Sequence, residues 1–442
     1  MEIINKIVLP QSANHLILLK YILVLTFLIF IPYASLLFGS LSMSIFFKIK
    51  GEKLNDENHQ KFSGFLIDLI TFNKGIAFTL GIVPLLSFIF CYAQLLHLSN
   101  LNVPLYILES TIIFFISLIL IYTYKHSIHL NQIFHLKSFD EENYVTFQSY
   151  KYKIARLVNK SANFGLIFLT ISLYLFVASV EFTQNPERWE NYNNLLGILF
   201  SFNALLSFIQ FVVFAFGFTS IFILVKLNEL HSLQIPQSYN NFIKNFTLRL
   251  ALISSLLLPF IIVFSVLSKS VYSLSYNVFS FALLSLLVVL IISVLIYVMI
   301  KQQEIKYGFL TIILFIVTIA FVVIKDQYAF DISNKKHFAV LAANYEEHRK
   351  KLLEESGLLK ETINGADIFN SKCIACHQFD RKVVGPPYNE VLPKYENNRQ
   401  ALIKFILNPT KVNPDYPSMP NQGLKPKEAE AVAEFLMSNY KK

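Results

Sequence analysis

The sequence predicts an all-α protein, a bundle of eight transmembrane helices followed by a small helical domain outside the lipid. Three observations predict it. Hydrophobic residues make up 54% of the 442-residue chain and charged residues only 15%, with 43 Phe, a composition that one water-soluble globule cannot bury. The apolar residues gather into stretches of about 20 or more, the length that crosses a hydrocarbon core of roughly 30 Å as a helix. Beyond residue 325 the apolar runs give way abruptly to a charged stretch.

Eight such stretches have cores near 21–45, 76–97, 104–124, 162–180, 195–225, 248–268, 277–300 and 307–324. In lipid only a helix satisfies its own backbone within one segment. The fifth stretch exceeds a straight crossing, so it is expected to tilt or protrude. The start from Met1 to Asn14 lacks a basic n-region, and no small-residue cleavage site follows the first apolar run, so the first helix is expected to remain in the mature protein.

The net charge of +9 raises a nucleic-acid or anionic-lipid partner, but its distribution offers a simpler account. Lys48, Lys50, Lys53, Lys61 and Lys74 lie between the first two stretches, and Lys125, Lys137, Lys151, Lys153, Arg156 and Lys160 between the third and fourth. Lys226, Lys244, Arg249, Lys301 and Lys306 fill the later loops of the same parity, whereas the opposite inter-helix loops hold only Arg188 and Lys269. The positive-inside rule then puts both termini outside a bacterial cytoplasmic membrane. The expected domains are 1–325, polytopic membrane; 326–356, a helical linker; and 357–442, the C-terminal domain. Within the linker, His337 to Ser356 has the spacing of a short amphipathic helix.

The most specific signal follows, in GADIFNSKCIACHQF from Gly365. Cys373, Cys376 and His377 form the Cys-x-x-Cys-His pattern of c-type haem attachment. Two cysteines three apart on a helical turn reach the two vinyl groups of one porphyrin, and the adjacent histidine comes beneath the iron. A redox disulfide would sit in an alternating α/β pattern, which is missing, and zinc would need further Cys or His ligands, which do not follow His377.

The region from about Gly357 to Lys442 resembles the class I cytochrome c family. Gly365 and Phe369 precede the motif; Gly385-Pro386-Pro387 follows, where the family has a proline carbonyl that accepts the proximal histidine's N–H. Tyr416-Pro417-Ser418-Met419-Pro420 stands where the family places its distal methionine, and KPKEAEAVAEFLMSNY supplies a terminal helix that crosses the first. Gly365 would let that crossing come close, with Phe435 and Leu436 as packing residues. The resemblance implies one covalent haem c with His377 and Met419 as iron ligands. Met437 is the alternative distal ligand, but it lies in an apolar helix stripe, where Met is usually core filler. The family also places its haem outside the cytoplasm, in agreement with the charge-derived topology and a periplasmic domain. Cys91, alone in the second membrane stretch, reads as an inert buried thiol.

The membrane part offers fewer handles. A b-type haem needs axial histidines inside the bundle, and only His97 and His15 flank the stretches near the outer surface. Glu109 is the acidic residue well inside an apolar stretch, which makes it either a functional carboxylate or an interfacial one. Leu16 to Ser127 faintly resembles subunit I of cytochrome bd-type quinol oxidases, through FIPYASLLFG, NKGIAFTLGIVPLLSF and VPLYILEST. That resemblance places Phe27 and Asn203 where the family has haem-ligating histidines, and Ser268 to Ser275 where it has a long quinol-binding loop, so recognised ligands are missing. His126, His129 and His135 read as a solvated helix extension rather than a metal site. No nucleotide-binding or nucleic-acid motif is evident.

Two function classes remain. The chain is an electron-transfer subunit of a respiratory complex, with lipid, other subunits and a soluble or membrane redox partner around it; or it is a quinol-oxidising or oxygen-reducing enzyme whose membrane domain uses His15, His97 and Glu109, with b-type haem or quinol as added cofactors. A haem-based sensor is a weaker third, since no cytoplasmic signalling domain is evident.

Overall fold

The structure, a computed structural model, describes residues 8–71, 73–136, 144–189, 194–226, 236–356 and 363–440. Among them there are helices and no strands, and eight helices are long and apolar enough to span a membrane. The chain divides into two compact units, Met1–His348 and Arg349–Lys442.

The first unit runs α1 (Ala13–Leu54), α2 (Glu57–Thr71), α3 (Lys74–Leu95), α4 (Val103–Leu136), α5 (Tyr144–Phe182), α6 (Leu195–Leu199), α7 (Phe202–Lys226), α8 (Gln237–Leu267), α9 (Tyr276–Gln302), α10 (Gly308–Ser333) and α11 (Lys335–Glu355). The spanning helices are α1, α3, α4, α5, α7, α8, α9 and α10. Ser12 caps α1 by accepting from the His15 N–H, and Ser275 caps α9 by accepting from Val278; each satisfies a donor that the first helical turn leaves open. Pro32 and Pro259 lie inside α1 and α8, where neighbouring helices re-satisfy the backbone groups a proline frees.

The eight stretches appear where hydropathy puts them, with one difference. The fifth is not one long helix, because it is broken into two. Asn194 caps α6 through the Gly197 N–H, Phe200 turns out at 85% exposure, and the Ser201 carbonyl accepts from Leu205 to begin α7. The remaining 25 residues of α7 are about 37 Å long at 1.5 Å per residue, enough for one crossing.

α1 is the axis of the bundle, touching α2, α3, α5, α7 and α10. One core cluster joins it to α3, α4 and α5; a second joins it to α7, α8, α9 and α10. In the first, Phe27, Phe30, Phe88 and Phe176 interlock, with Phe27–Phe88 centroids 4.4 Å apart and Phe30–Phe176 5.2 Å apart. Phe27, set by the bd-type resemblance at a ligand position, is thus an aromatic packing residue. Asn203, the other such position, is buried at the start of α7.

The linker is more continuous with the bundle than its composition suggests. α10 continues through residue 326 to Ser333, and Phe338 and Leu341 of α11 bury in the first core cluster. Lys20 of α1 lies over the Phe338 ring, 4.0 Å from its centroid, and bonds Asp331 at 3.1 Å. Residues 357–362, where the C-terminal domain is read to begin, lie outside the described residues, as do 441–442 and Lys137; His135 falls outside those whose side chains are described.

Where α1 crosses α7, a Cβ on Gly39 would stand 2.3 Å from Thr219 Oγ1, so the two backbones meet through a residue without a side chain. Gly39→Ala is expected to cost roughly 1–3 kcal/mol through overpacking, and Thr219→Gly in the same chain to recover part of it. Thermal unfolding in detergent measures both.

Candidate haem-binding site

The second unit is built from α12 (Gly365–Ile368), which runs into a π turn (Phe369–Cys373), α13 (Tyr388–Val391), α14 (Arg399–Leu407) and α15 (Pro426–Asn439). Asn364 caps α12 through the Ala366 N–H, and Pro426 opens α15, where its missing N–H costs no helical bond. α12 crosses α15 so closely that a Cβ on Gly365 would lie 2.1 Å from the Ala431 carbonyl oxygen and 2.9 Å from Phe435 Cβ. Phe369 meets Phe435 with centroids 5.3 Å apart, and Leu436 is fully buried. The close crossing expected at Gly365 is therefore present, with the expected packing residues.

The motif begins on Cys373, the last residue of the π turn. The Cys373 carbonyl accepts from Cys376 and His377 N–H groups, and the Cys376 carbonyl accepts from Gly385 at 2.8 Å. This ties the turn to the Gly385–Pro387 segment. His377 Nδ1 donates to the Pro386 carbonyl at 3.0 Å, and since a carbonyl only accepts, Nδ1 carries the proton and Nε2 keeps its lone pair. Gly385 is required by the same contact, because a Cβ there would stand 2.2 Å from His377 Cε1. Tyr388 stacks on the imidazole from the next helix, centroids 5.0 Å apart.

Cys373, Cys376, His377, Pro386 and Met419 all line one cavity of about 350 Å³, closed by Leu402, Ile406 and Leu436. Met437 is not on its wall; it packs, partly buried, against the domain core. Burial pushes the Cys373 thiol up, opposed by its bond with Tyr388, and burial also raises the Tyr388 phenol. Two thiols, one oriented imidazole and one thioether around an apolar cavity are a donor set suited to a covalently anchored porphyrin and its iron. The fold and this cavity define a small haem-carrying domain of the electron-transfer type.

Comparison with known proteins identifies it further. The cytochrome c family model matches residues 363–439. Cytochrome c-551 of Pseudomonas denitrificans is 32% identical over 78 residues, covering 17% of this chain and 95% of that protein. The chain belongs to the cytochrome c family through its C-terminal domain, and a domain of that family implies covalently bound haem c. No solved structure matches the chain significantly.

The other candidates do not assemble into a site. Glu109 is half-buried on α4 with no hydrogen bond or ion pair among the described residues, and His15 is half-buried at the start of α1. His97, expected at the interface, is buried, and its Nδ1 has no hydrogen-bond partner. Burial lowers its pKa, as it does that of His337 on α11. His129 pairs with Asp68 at 2.9 Å, while His126 is exposed. No group of three or more metal-capable side chains occurs among the described residues.

Two features escaped the sequence. Tyr388 sits eleven residues beyond the histidine it stacks on, and only the fold of the Gly385–Pro387 turn brings it back. Glu181, Lys269, Lys325 and Asp326 meet at one end of the bundle; the available signal was four charges at the ends of three apolar stretches of like parity.

The purified chain is expected to hold one covalent haem and no haem extractable with acid acetone. A pyridine haemochrome spectrum taken before and after extraction measures both, and one extractable haem per chain would contradict it.

Proposed function

We propose that this chain is an electron-transfer subunit of a respiratory complex, a membrane-anchored monohaem cytochrome c that relays electrons to or from a soluble or membrane partner. The observation that carries the reading is the convergence of Cys373, Cys376, His377 and Met419 on one apolar cavity. In it Cys373 and Cys376 would hold the haem through thioether links, and His377 through Nε2 and Met419 through its sulfur would hold the iron. Haem c, when bound, supplies a one-electron couple. The Pro386 carbonyl holds the His377 ring in its tautomer and orientation, Tyr388 covers one face of that ring, and the apolar wall excludes water. A thioether together with a histidine on the iron would raise the potential of the haem.

The side of the membrane follows from charge. The ends of the spanning helices that carry Lys48, Lys125, Lys153 and Lys301 are the basic ones, which supports placing them in the cytoplasm and both termini in the periplasm. Eight spanning helices exceed what anchoring requires, and α9 presents Phe279, Leu283, Leu287 and Leu290 outward, a face suited to lipid or to other subunits. A single haem stores one electron, so a two-electron donor needs a second centre elsewhere in the assembly.

Met419→Ala is expected to leave the haem attached while the potential falls and the near-infrared sulfur-to-iron band disappears. Redox titration and absorption spectroscopy check it, and a persisting band would assign the ligand to Met437. Mild detergent extraction followed by native gel electrophoresis with haem staining tests the subunit role. The stained band is expected above the mass of a homodimer; a band at the single-chain mass with full quinol oxidation by the isolated chain would refute it.

A further inference from the structure

We propose that the membrane bundle seats one phospholipid of single negative charge, of the phosphatidylglycerol class, in a groove between the start of α3 and the C-terminal half of α4. Its phosphate would lie on Lys74 and one acyl chain along Phe78, Ile82, Phe115 and Ile119. The groove measures about 430 Å³. Its polar lining residues are Lys74, Tyr122, Thr123 and His126, and the others are apolar. The Tyr122 hydroxyl donates to the Asn73 carbonyl at 3.1 Å, so the start of α3 and the later part of α4 stand at the same depth. All four polar residues therefore gather at the basic end of the bundle. The apolar ones run inward from there. Ile82 lies eight residues beyond Lys74 and Phe115 eleven before His126, about 12 and 16 Å at 1.5 Å per residue.

Exposure alone would not mark a seat, since Phe78, Phe115 and Ile119 are half-exposed as side chains on any lipid-facing helix are. What marks it is a concave surface, a π turn (Phe78–Ile82) in α3 at this depth, and a charge left over at the rim. A π turn inside an α-helix is frequently found at a functional site. The charge left over is that of Lys74. Lys125, one turn of chain away on α4, does not line the groove: its Nζ donates to the Thr71 carbonyl at 2.8 Å and lies 3.4 Å from Asp68 Oδ1. His129 meets the same Asp68 oxygen at 2.9 Å. Lys74 has no ion-pair partner among the described residues, and no acidic side chain among them lines the groove. Thr123 already donates its hydroxyl hydrogen to the Ile119 carbonyl at 2.8 Å. The rim thus offers an ammonium and an imidazole, and no carboxylate.

A free cation above an apolar channel suits an anion that carries a hydrocarbon chain, and basic pockets between spanning helices are where anionic headgroups settle. One lysine balances one phosphate, which favours a singly charged lipid over one with two phosphates. A phosphatidylethanolamine brings its own ammonium to a rim with no carboxylate to receive it. The groove belongs wholly to the membrane unit, and the proposal does not depend on the electron-transfer reading.

The test uses the full haem-loaded chain in vesicles of phosphatidylethanolamine and phosphatidylglycerol, with brominated acyl chains on one lipid or the other. Bromine quenches a neighbouring tryptophan. Phe78→Trp puts a reporter in the groove, Phe115→Trp puts a second one there should the first not fold, and the parent chain, with Trp189 alone, supplies the background. Tyr297→Trp, exposed on α9 one turn from Lys301, reports the general pull of a basic membrane surface. The groove reporters are expected to show phosphatidylglycerol enriched about fivefold over its share, the weight of one lysine near an anionic surface, and the α9 reporter much less. Lys74→Gln is expected to bring the groove reporters down to the α9 level, and Lys74→Arg to keep the enrichment. Glycerol phosphate at millimolar concentration is expected to leave the quenching unchanged, because the groove holds the chain as well as the phosphate. Equal enrichment at the groove and α9 reporters, enrichment that survives Lys74→Gln, its loss in Lys74→Arg, or displacement by glycerol phosphate would overturn the site.

Discussion

A backbone amide inside hydrocarbon has no water to turn to, and an unpaired one costs several kcal/mol. The rest of this structure follows from that constraint. It forces every crossing segment into helix, which is why the apolar stretches and the spanning helices coincide. It also makes irregular backbone acceptable only where the protein supplies partners, as Asn194 and the Ser201 carbonyl do at the break before α7. With lipid as apolar as Leu, helix association then depends on fit, and the Gly39–Thr219 approach and the interlocked phenylalanines around α1 supply it.

The same medium governs charge. Lys269, Lys325, Glu181 and Asp326 are tolerable where they are because they neutralise one another. The likeness to a bd-type oxidase subunit does not extend to this region as a haem site: at Phe27 the bundle has an aromatic ring packed against Phe88 and Phe176.

The C-terminal domain solves a different problem in fewer residues. Its helices are too short to be stable alone, since isolated helices shorter than about 12–15 residues are marginal, so the Gly365 crossing of α12 over α15 is what fixes α15, whose Val432 and Leu436 line the cavity. The peptide segment that follows the motif then folds back, bonding the Cys376 carbonyl through Gly385 and the imidazole through Pro386. One loop therefore holds both the Cys373–Cys376 turn and the His377 ring.

The chain's chemistry is written locally, and local features were legible without coordinates. Hydropathy over single segments determined the eight spans, the Cys373, Cys376 and His377 spacing pointed to a cytochrome c domain, and the proline-bounded Met419 lines the same cavity as those three residues. Such signals survive in sequence because lipid crossing and haem attachment each depend on residues close together in the chain. The packing role of Phe27, the burial of His97, the stacking of Tyr388 and the meeting of Glu181 with Lys269 and Asp326 depend on contacts between residues that are not neighbours in the chain, from eleven positions apart for Tyr388 and His377 to 88 for Glu181 and Lys269. No periodicity records which helix faces which, because apolar faces look alike whether they meet lipid, a neighbouring helix or a cavity. Only the tertiary packing around α1 decided that, by placing helix ends from α5, α8 and α10 where their charges could cancel.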